Sequence, residues 1–346
     1  MTSPLSSSRI VAIVAMTCAA LLPLGVSVIS VAPTATAATS VVARTGSRGS
    51  TVVIIQRVVH ARADGVYGPK TAVAVKVWQR SRGLRATGVV DSLTWSRIKA
   101  DWATVPAVGN DVSWPQCPKG TGIPLRRGKG LPMPSASARF VVIGLTNGPA
   151  FYPNPCLAIQ TSWVKKRHLY AVTYAMTTYP TTKQVATYGR VGPYKGTSAA
   201  AKLANTGYAQ ARFNVASMRR AGLVSPLMWV DVEPYSVAPW SKSTTRNKAV
   251  MDGALRGYRA AGLKVGVYST KYLWTQVLGS ARYRLPEWRT AGPRGKSAAR
   301  GRCASSYSFQ GGPPVLAQWT TRTTDYDITC PGYSTRPALA AFFHKY

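Results

Sequence analysis

The 346-residue chain has room for two domains and at least one large core. It carries 44 Lys+Arg against 10 Asp+Glu, a formal net charge of +34, which bears on partners more than on fold. The three histidines, His60, His168 and His344, are scattered and no C-x-x-C pair occurs. That argues against a zinc site and against Ser-His-Asp or Cys-His nucleophile sets, so no metal or organic cofactor is expected.

Residues 1–37 read as a secretory signal. One cation, Arg9, precedes the apolar run Ile10 to Val31, and small residues with Ala35-Thr36-Ala37 follow before Ala38. The run is long enough to be an uncleaved membrane anchor instead, but Pro23, the weak flanking charge and the A-x-A site favour cleavage. Cys18 would leave with this segment. Four cysteines remain, an even number that suits two disulfides in an exported protein, with three connectivities open. Nearest partners in sequence, Cys117–Cys156 and Cys303–Cys330, are the favoured pairing. The expected location is extracellular and associated with the cell wall. There the positive charge suits phosphate-bearing wall polymers, with a merely solvated basic surface as the plain alternative. A nucleic-acid partner is the first thought for such a charge, but no recognised motif supports one. A monomer is expected.

Residues 45–100 form a self-contained pattern. VVIIQRVV suggests an amphipathic turn or two, ADGVYGPKT a Gly-punctuated loop, and AVAVKVWQRSRGL a helix with Val75 and Trp78 at helical spacing, ending at Gly83. ATGVVDSLTWSRI repeats the logic on a smaller scale, with Trp95 on its helix. A three-helix unit is expected. Gln56-Arg57, Asp64-Gly65-x-Tyr67-Gly68-Pro69-x-Thr71, Ala74-Val75-x-x-Trp78-Gln79, Gly83-Leu84 and Gly88-Val89-Val90 together resemble the peptidoglycan-binding module of wall hydrolases, with a shortened link before Asp64. These are turn and core positions, which mark the fold and not ligand contacts.

Residues 101–109, DWATVPAVG, read as a linker, and 110–346 as a second domain. Strand-like runs, namely NDVSWPQ, RFVVIGLTNG, LYAVTYAM, PLMWVDVEP, LKVGVYST, PEWRTAG and PVLAQWT, alternate there with helix-like ones. Doubly buried apolar strands between helices argue for a parallel sheet. Seven or eight of them fit an irregular TIM-like β/α barrel better than an open doubly wound sheet.

Five of the ten acids fall on strands or strand ends of this domain: Asp111, the pair Asp231/Glu233 and the pair Asp325/Asp327. In a strand, residues i and i+2 share a face about 6.6 Å apart, so Asp231 and Glu233 project together at the end of PLMWV, where a barrel delivers residues to its rim. First and last strands are neighbours in a closed barrel, so Asp111 and Asp325 could join them. Crowded carboxylates keep one another protonated, and a proton donor beside an anion is what glycosidic cleavage requires. Trp114, Trp229, Tyr235, Tyr268 and Trp319 lie on the same elements, and Trp114, Tyr235, Tyr268 and Trp319, with Asp327, are the expected substrate contacts. Turn capping or pairing with arginines is the structural alternative for these acids.

Asp111-Val112-Ser113-x-x-Gln116, Asp231-x-Glu233, Gly266-Val267-Tyr268-Ser269, Gln318-Trp319 and Asp325-x-Asp327, in that order, resemble the Chalaropsis-type lysozymes of glycoside hydrolase family 25. The resemblance implies a β/α barrel that cleaves between N-acetylmuramic acid and N-acetylglucosamine. It implies Glu233 as general acid, Asp231 as the residue serving the substrate's acetamido group, and Asp111 and Asp325 as further cleft acids, with Asp327 competing for the last place. Three departures stand out: the basic insertion PKGTGIPLRRGKGLPMPSASAR after the first strand, Asn147 where a carboxylate is usual, and Tyr174-Ala175-Met176 where a histidine is usual. A wall-binding protein with a degenerate barrel is the competing expectation.

Overall fold

A computed structural model describes residues 40–234, 236 and 238–346. The expected signal segment, 1–37, and Tyr235 lie outside the described residues. Among those described, no helix is long and apolar enough to cross a membrane.

The small domain comprises β1 (Val41–Ala43), α1 (Ser50–Val58), α2 (Pro69–Ser81), β2 (Val90–Asp91) and α3 (Ser92–Thr104), with β1 and β2 paired antiparallel. Val52, Ile55, Tyr67, Val75, Trp78 and Ile98 are buried together. Two buried glutamines organise the loops between them. Gln56 donates to Asp64 Oδ1, Val66 O and Thr71 Oγ1 and accepts from Gly65 N. Gln79 donates to Thr87 Oγ1, Val89 O and Thr94 Oγ1 and accepts from Gly88 N. Each glutamine reaches a threonine 15 residues on, so the repeat seen in the sequence is a repeated clamp. The four bonds satisfy an amide that would otherwise be costly to bury.

The linker expected at 101–109 is shorter than the sequence suggested. α3 runs on to Thr104, because Asp101 accepts hydrogen bonds from Trp78 Nε1 and Arg82 and is thereby bound into the small domain. The next strand then starts at Val108.

The second domain contains β3 (Val108–Val112), β4 (Phe140–Gly144), α4 (Leu157–Lys166), β5 (Tyr170–Met176), α5 (Thr182–Tyr188), α6 (Ala199–Arg220) and β6 (Leu227–Asp231). There follow α7 (Thr244–Ala260), β7 (Lys264–Ser269), α8 (Lys271–Leu278), β8 (Glu287–Thr290), α9 (Gly295–Gly301), β9 (Pro314–Thr320), β10 (Asp325–Thr329), α10 (Arg336–Phe342) and β11 (His344–Lys345). Strands β3 to β10 close in chain order into an eight-stranded barrel, while β11 pairs with the start of β5. The first seven barrel strands run parallel. β10, which the sequence pattern did not single out as a strand, is antiparallel to both β9 and β3. It therefore stands between the last apolar strand and the first.

Alternation along each strand sorts the side chains. Phe140, Val142, Val172, Trp229, Trp288 and Leu316 fill the barrel interior. Met228, Val230, Val265 and Val267 face the helix layer with Val215, Met251 and Leu255. Glu287 and Arg289 also point outward from β8 and form a buried ion pair of 2.6 Å. Disulfides join Cys117 to Cys156 and Cys303 to Cys330. The first ties the turn after β3 to the start of α4, the second the end of α9 to the end of β10.

Candidate active site

The two-residue period of β6 continues past its last ladder residue. Val232, fully buried, donates its N–H to Tyr268 O and accepts from Ser269 Oγ. Asp231 and Glu233 consequently turn to the same side, into a cleft of about 380 Å³ at the C-terminal rim of the parallel strands. Pro234 follows, and Trp240 Nε1 holds the Glu233 carbonyl at 3.1 Å.

Asp111 and Asp325 line the same cleft and are register partners on β3 and β10. Gln318 Nε2 donates to Asp111 Oδ2 at 2.9 Å and its Oε1 accepts from the Tyr268 hydroxyl at 2.8 Å, a relay crossing three strands. Trp114 and Tyr268 also line the cleft.

Two expected contacts lie elsewhere. Trp319 has the opposite parity to Gln318 and Thr320, so it faces out of the barrel, stacks on Tyr326 at 5.1 Å and packs among Ala291, Ala299 and Cys330. Asp327 shares the inner face with Asp325 but sits one layer deeper. It is fully buried, with Oδ1 accepting from Trp288 Nε1 at 2.7 Å, so it supports the floor and does not line the cleft. Trp229, too, is entirely within the interior.

The electrostatics follow from crowding. Burial, then Asp325, pushes the Asp111 carboxyl up to about 8. Burial raises Asp325 to about 6. Asp231 is held well above the carboxylate range by burial and next by Glu233 and Asp111, while Arg126 opposes the shift. Burial and Asp111 do the same to Asp327. The cleft therefore stores protons at neutral pH, in a site that could donate one. Asp231 Oδ1 is buried without a hydrogen-bond partner among the described residues.

Sequence reasoning missed Arg126, Trp288, Ser113 and Thr290, all in the cleft wall. Trp288 and Thr290 were recoverable, because alternation in PEWRTAG gives them one face. Arg126 carried no such signal. It enters from the insertion, whose path is set by Asn147: Oδ1 accepts from Ile123 N at 2.7 Å and Nδ2 donates to Arg126 O at 2.9 Å. Gly148, at φ +96°, leaves the space through which the Arg126 stem passes. The missing carboxylate at Asn147 is thus exchanged for an anchor that delivers a cation. That cation and Lys129 lie over the Trp114 ring at 5.5 and 5.6 Å. Tyr174 occupies the place expected for histidine and hydrogen-bonds Ser113.

The family model of a peptidoglycan binding domain matches residues 56–98, and the model named lysozyme-like protein 1 matches 184–293. Neither match spans half of the chain: the small domain is similar to peptidoglycan binding domains and part of the barrel to a lysozyme-like protein. Among solved structures it is similar to a muramidase from Trichobolus zukalii (TM-score 0.42, 16% identity, 68% of this chain and 99% of that one). It is also similar to the bacterial lysozyme from Streptomyces coelicolor (TM-score 0.45, 18% identity, 68% and 96%). A family GH25 lysozyme from Aspergillus fumigatus gives a TM-score of 0.41 at 15% identity, covering 65% and 94%. No curated protein matches.

Proposed function

We propose that the chain is an exported muramidase: it cleaves the peptidoglycan glycan between N-acetylmuramic acid and N-acetylglucosamine, and the small domain holds it to the polymer. The observation that carries this reading is Asp231 and Glu233 projecting side by side into a cleft whose far wall is Asp111 and Asp325. Glu233 is the more exposed of the pair and can reach a glycosidic oxygen as proton donor. The unpartnered Asp231 Oδ1 is an acceptor that a substrate acetamido N–H would satisfy, orienting that group for attack on the anomeric carbon. Trp114, stiffened by its two cations, offers a flat face to a sugar ring. A wider groove lined by Pro149, Phe151, Tyr152, Tyr179 and Tyr188 extends on the same rim, which suits a polymer more than a short oligosaccharide.

The test is mass spectrometry of fragments released from purified peptidoglycan by the wild type and by Glu233→Gln. Glutamine keeps the shape and cannot act as an acid, so new reducing-end muramic acid is expected from the wild type alone, with wall binding retained by both. Equal release by both forms would sink the role of Glu233. Release by neither, with both sedimenting with the wall, would make the barrel a binding domain.

A further inference from the structure

Away from the carboxylate mouth, the small domain and the barrel together line a cavity of about 620 Å³. Three separate segments bring four cations to it: Arg57 from the last turn of α1, Arg82 beyond the end of α2, and Lys296 and Arg300 from α9, with His60 beside them. The single carboxylate in the wall, Asp101, is already engaged by Arg82 at 2.7 Å. Among the described residues, Arg57 donates to a backbone carbonyl, Ser137 O, at 3.4 Å and has no carboxylate partner. Lys296 and Arg300 have no carboxylate partner among the described residues.

Arg139 does not line the cavity but follows Ala138, which does; its guanidinium lies over Trp102 at 4.5 Å and donates from Nη2 to Ser334 O, and its buried Nη1 has no hydrogen-bond partner among the described residues. Burial, and next Arg57, lowers its pKa to about 10, and burial lowers that of Arg57 as well. A merely solvated basic surface spreads its cations outward. Here they converge on a concave space poor in counter-charge, where like charges repel and are partly desolvated. An anion placed among them would relieve both costs, and guanidinium forks match the oxygens of a phosphate. Neutral donors are at hand in the hydroxyls of Ser135 and Ser137.

We propose that this cavity is a second ligand site, for a phosphate-bearing anion: a phosphodiester polymer lying between the two domains, or free phosphate. The site shares its supports with the mouth. Asn110 and Tyr326 face the cavity from β3 and β10, while their neighbours Asp111 and Asp325 face the cleft. A bound polyanion would therefore be gripped on the outer side of the two strands whose inner side carries the acids.

Calorimetric titration of the full chain at physiological salt, with inorganic phosphate and separately with a glycerol-phosphate oligomer, tests this. One anion per chain is expected. Arg57→Gln with Arg300→Gln should weaken binding at least tenfold, and the exposed Lys296→Gln alone about threefold. A control of equal charge change on the barrel surface, Lys166→Gln with Arg259→Gln, should change it less than twofold. Tighter binding of the oligomer would identify the polymer as ligand, and equal binding free phosphate. No binding, or equal weakening by the two double variants, would overturn the site in favour of diffuse charge. Melting temperatures of the variants check folding, and the single Lys296→Gln variant keeps the test open if the double one is unstable. Glycan cleavage is read in parallel: a chain that binds the anion yet cleaves no glycan would keep this site and lose the reading of the mouth.

Discussion

Replacing Asp111 by asparagine is expected to stabilise the barrel at neutral pH and to leave it unchanged near pH 4. The native carboxyl is pushed up to about 8 by burial and by Asp325, whereas in the unfolded chain it ionises near ~3.9. The native pKa is the raised one, so between these values the unfolded state gives up its proton while the native state keeps it. Stability is then full below the unfolded pKa and falls as pH rises, by up to about 1.4 kcal/mol per unit, levelling off above the native pKa. From pH 4 to pH 7 the loss comes to about 4 kcal/mol. Asparagine does not titrate, and its oxygen can still accept the bond now made by Gln318 Nε2 at 2.9 Å. The difference in unfolding free energy between variant and wild type should therefore grow from near zero at pH 4 to about 4 kcal/mol at pH 7. Urea titrations followed by tryptophan fluorescence at several pH values would measure it, with glycan cleavage falling in the same variant. Parallel stability curves, or a variant less stable at every pH, would refute the claim that crowded acids strain this fold.

Glu287→Gln should act in the opposite direction. Its carboxylate accepts from Arg289 Nε, Ser308 Oγ, Gln310 N and Nε2, and Gly312 N, and removing its charge leaves Arg289 buried and unpaired, at a cost of about 3–5 kcal/mol. A thermal melt reads the loss, and cleavage per folded molecule should not change because Glu287 faces away from the cleft. Asn147→Ala should release the insertion, orphaning Ile123 N–H and Arg126 C=O at about 1–3 kcal/mol. KM for soluble glycan should rise several-fold with a smaller change in kcat, and an unaltered KM would show that Arg126 does not help to hold substrate.

The parallel strands were legible because a barrel buried on both faces writes them as continuous apolar runs, as in PLMWV and FVVIG. The acids were legible because this chain uses so few. DYDIT was not legible as a strand: its inward face carries two aspartates and its outward face only Tyr326 and Ile328, too short an alternation to stand out, and what defines it is pairing on both sides with β9 and β3. Trp319 and Asp327 were misplaced for a related reason. Sequence supplies the two-residue alternation but neither its phase nor its depth, and those are fixed by the ladder, which sends Trp319 outward and seats Asp327 beneath Asp325. The insertion was visible as a departure. Its effect, the delivery of Arg126 over Trp114, rests on side-chain bonds from Asn147 that no local pattern announces.

The antiparallel β10 also makes the barrel a lock that turns only when strands far apart in the chain meet. Asn110 and Asp325 are joined by a hydrogen bond spanning 215 residues, and closure of so distant a seam is a late event in folding. Before it, β3 and β9 each present a bare edge, ready to pair with another chain, and two of the four cleft acids stand apart. A chain cut short before Asp325 would be aggregation-prone as well as inert. The proposed wall-cutting activity would be switched on by the docking of that one strand.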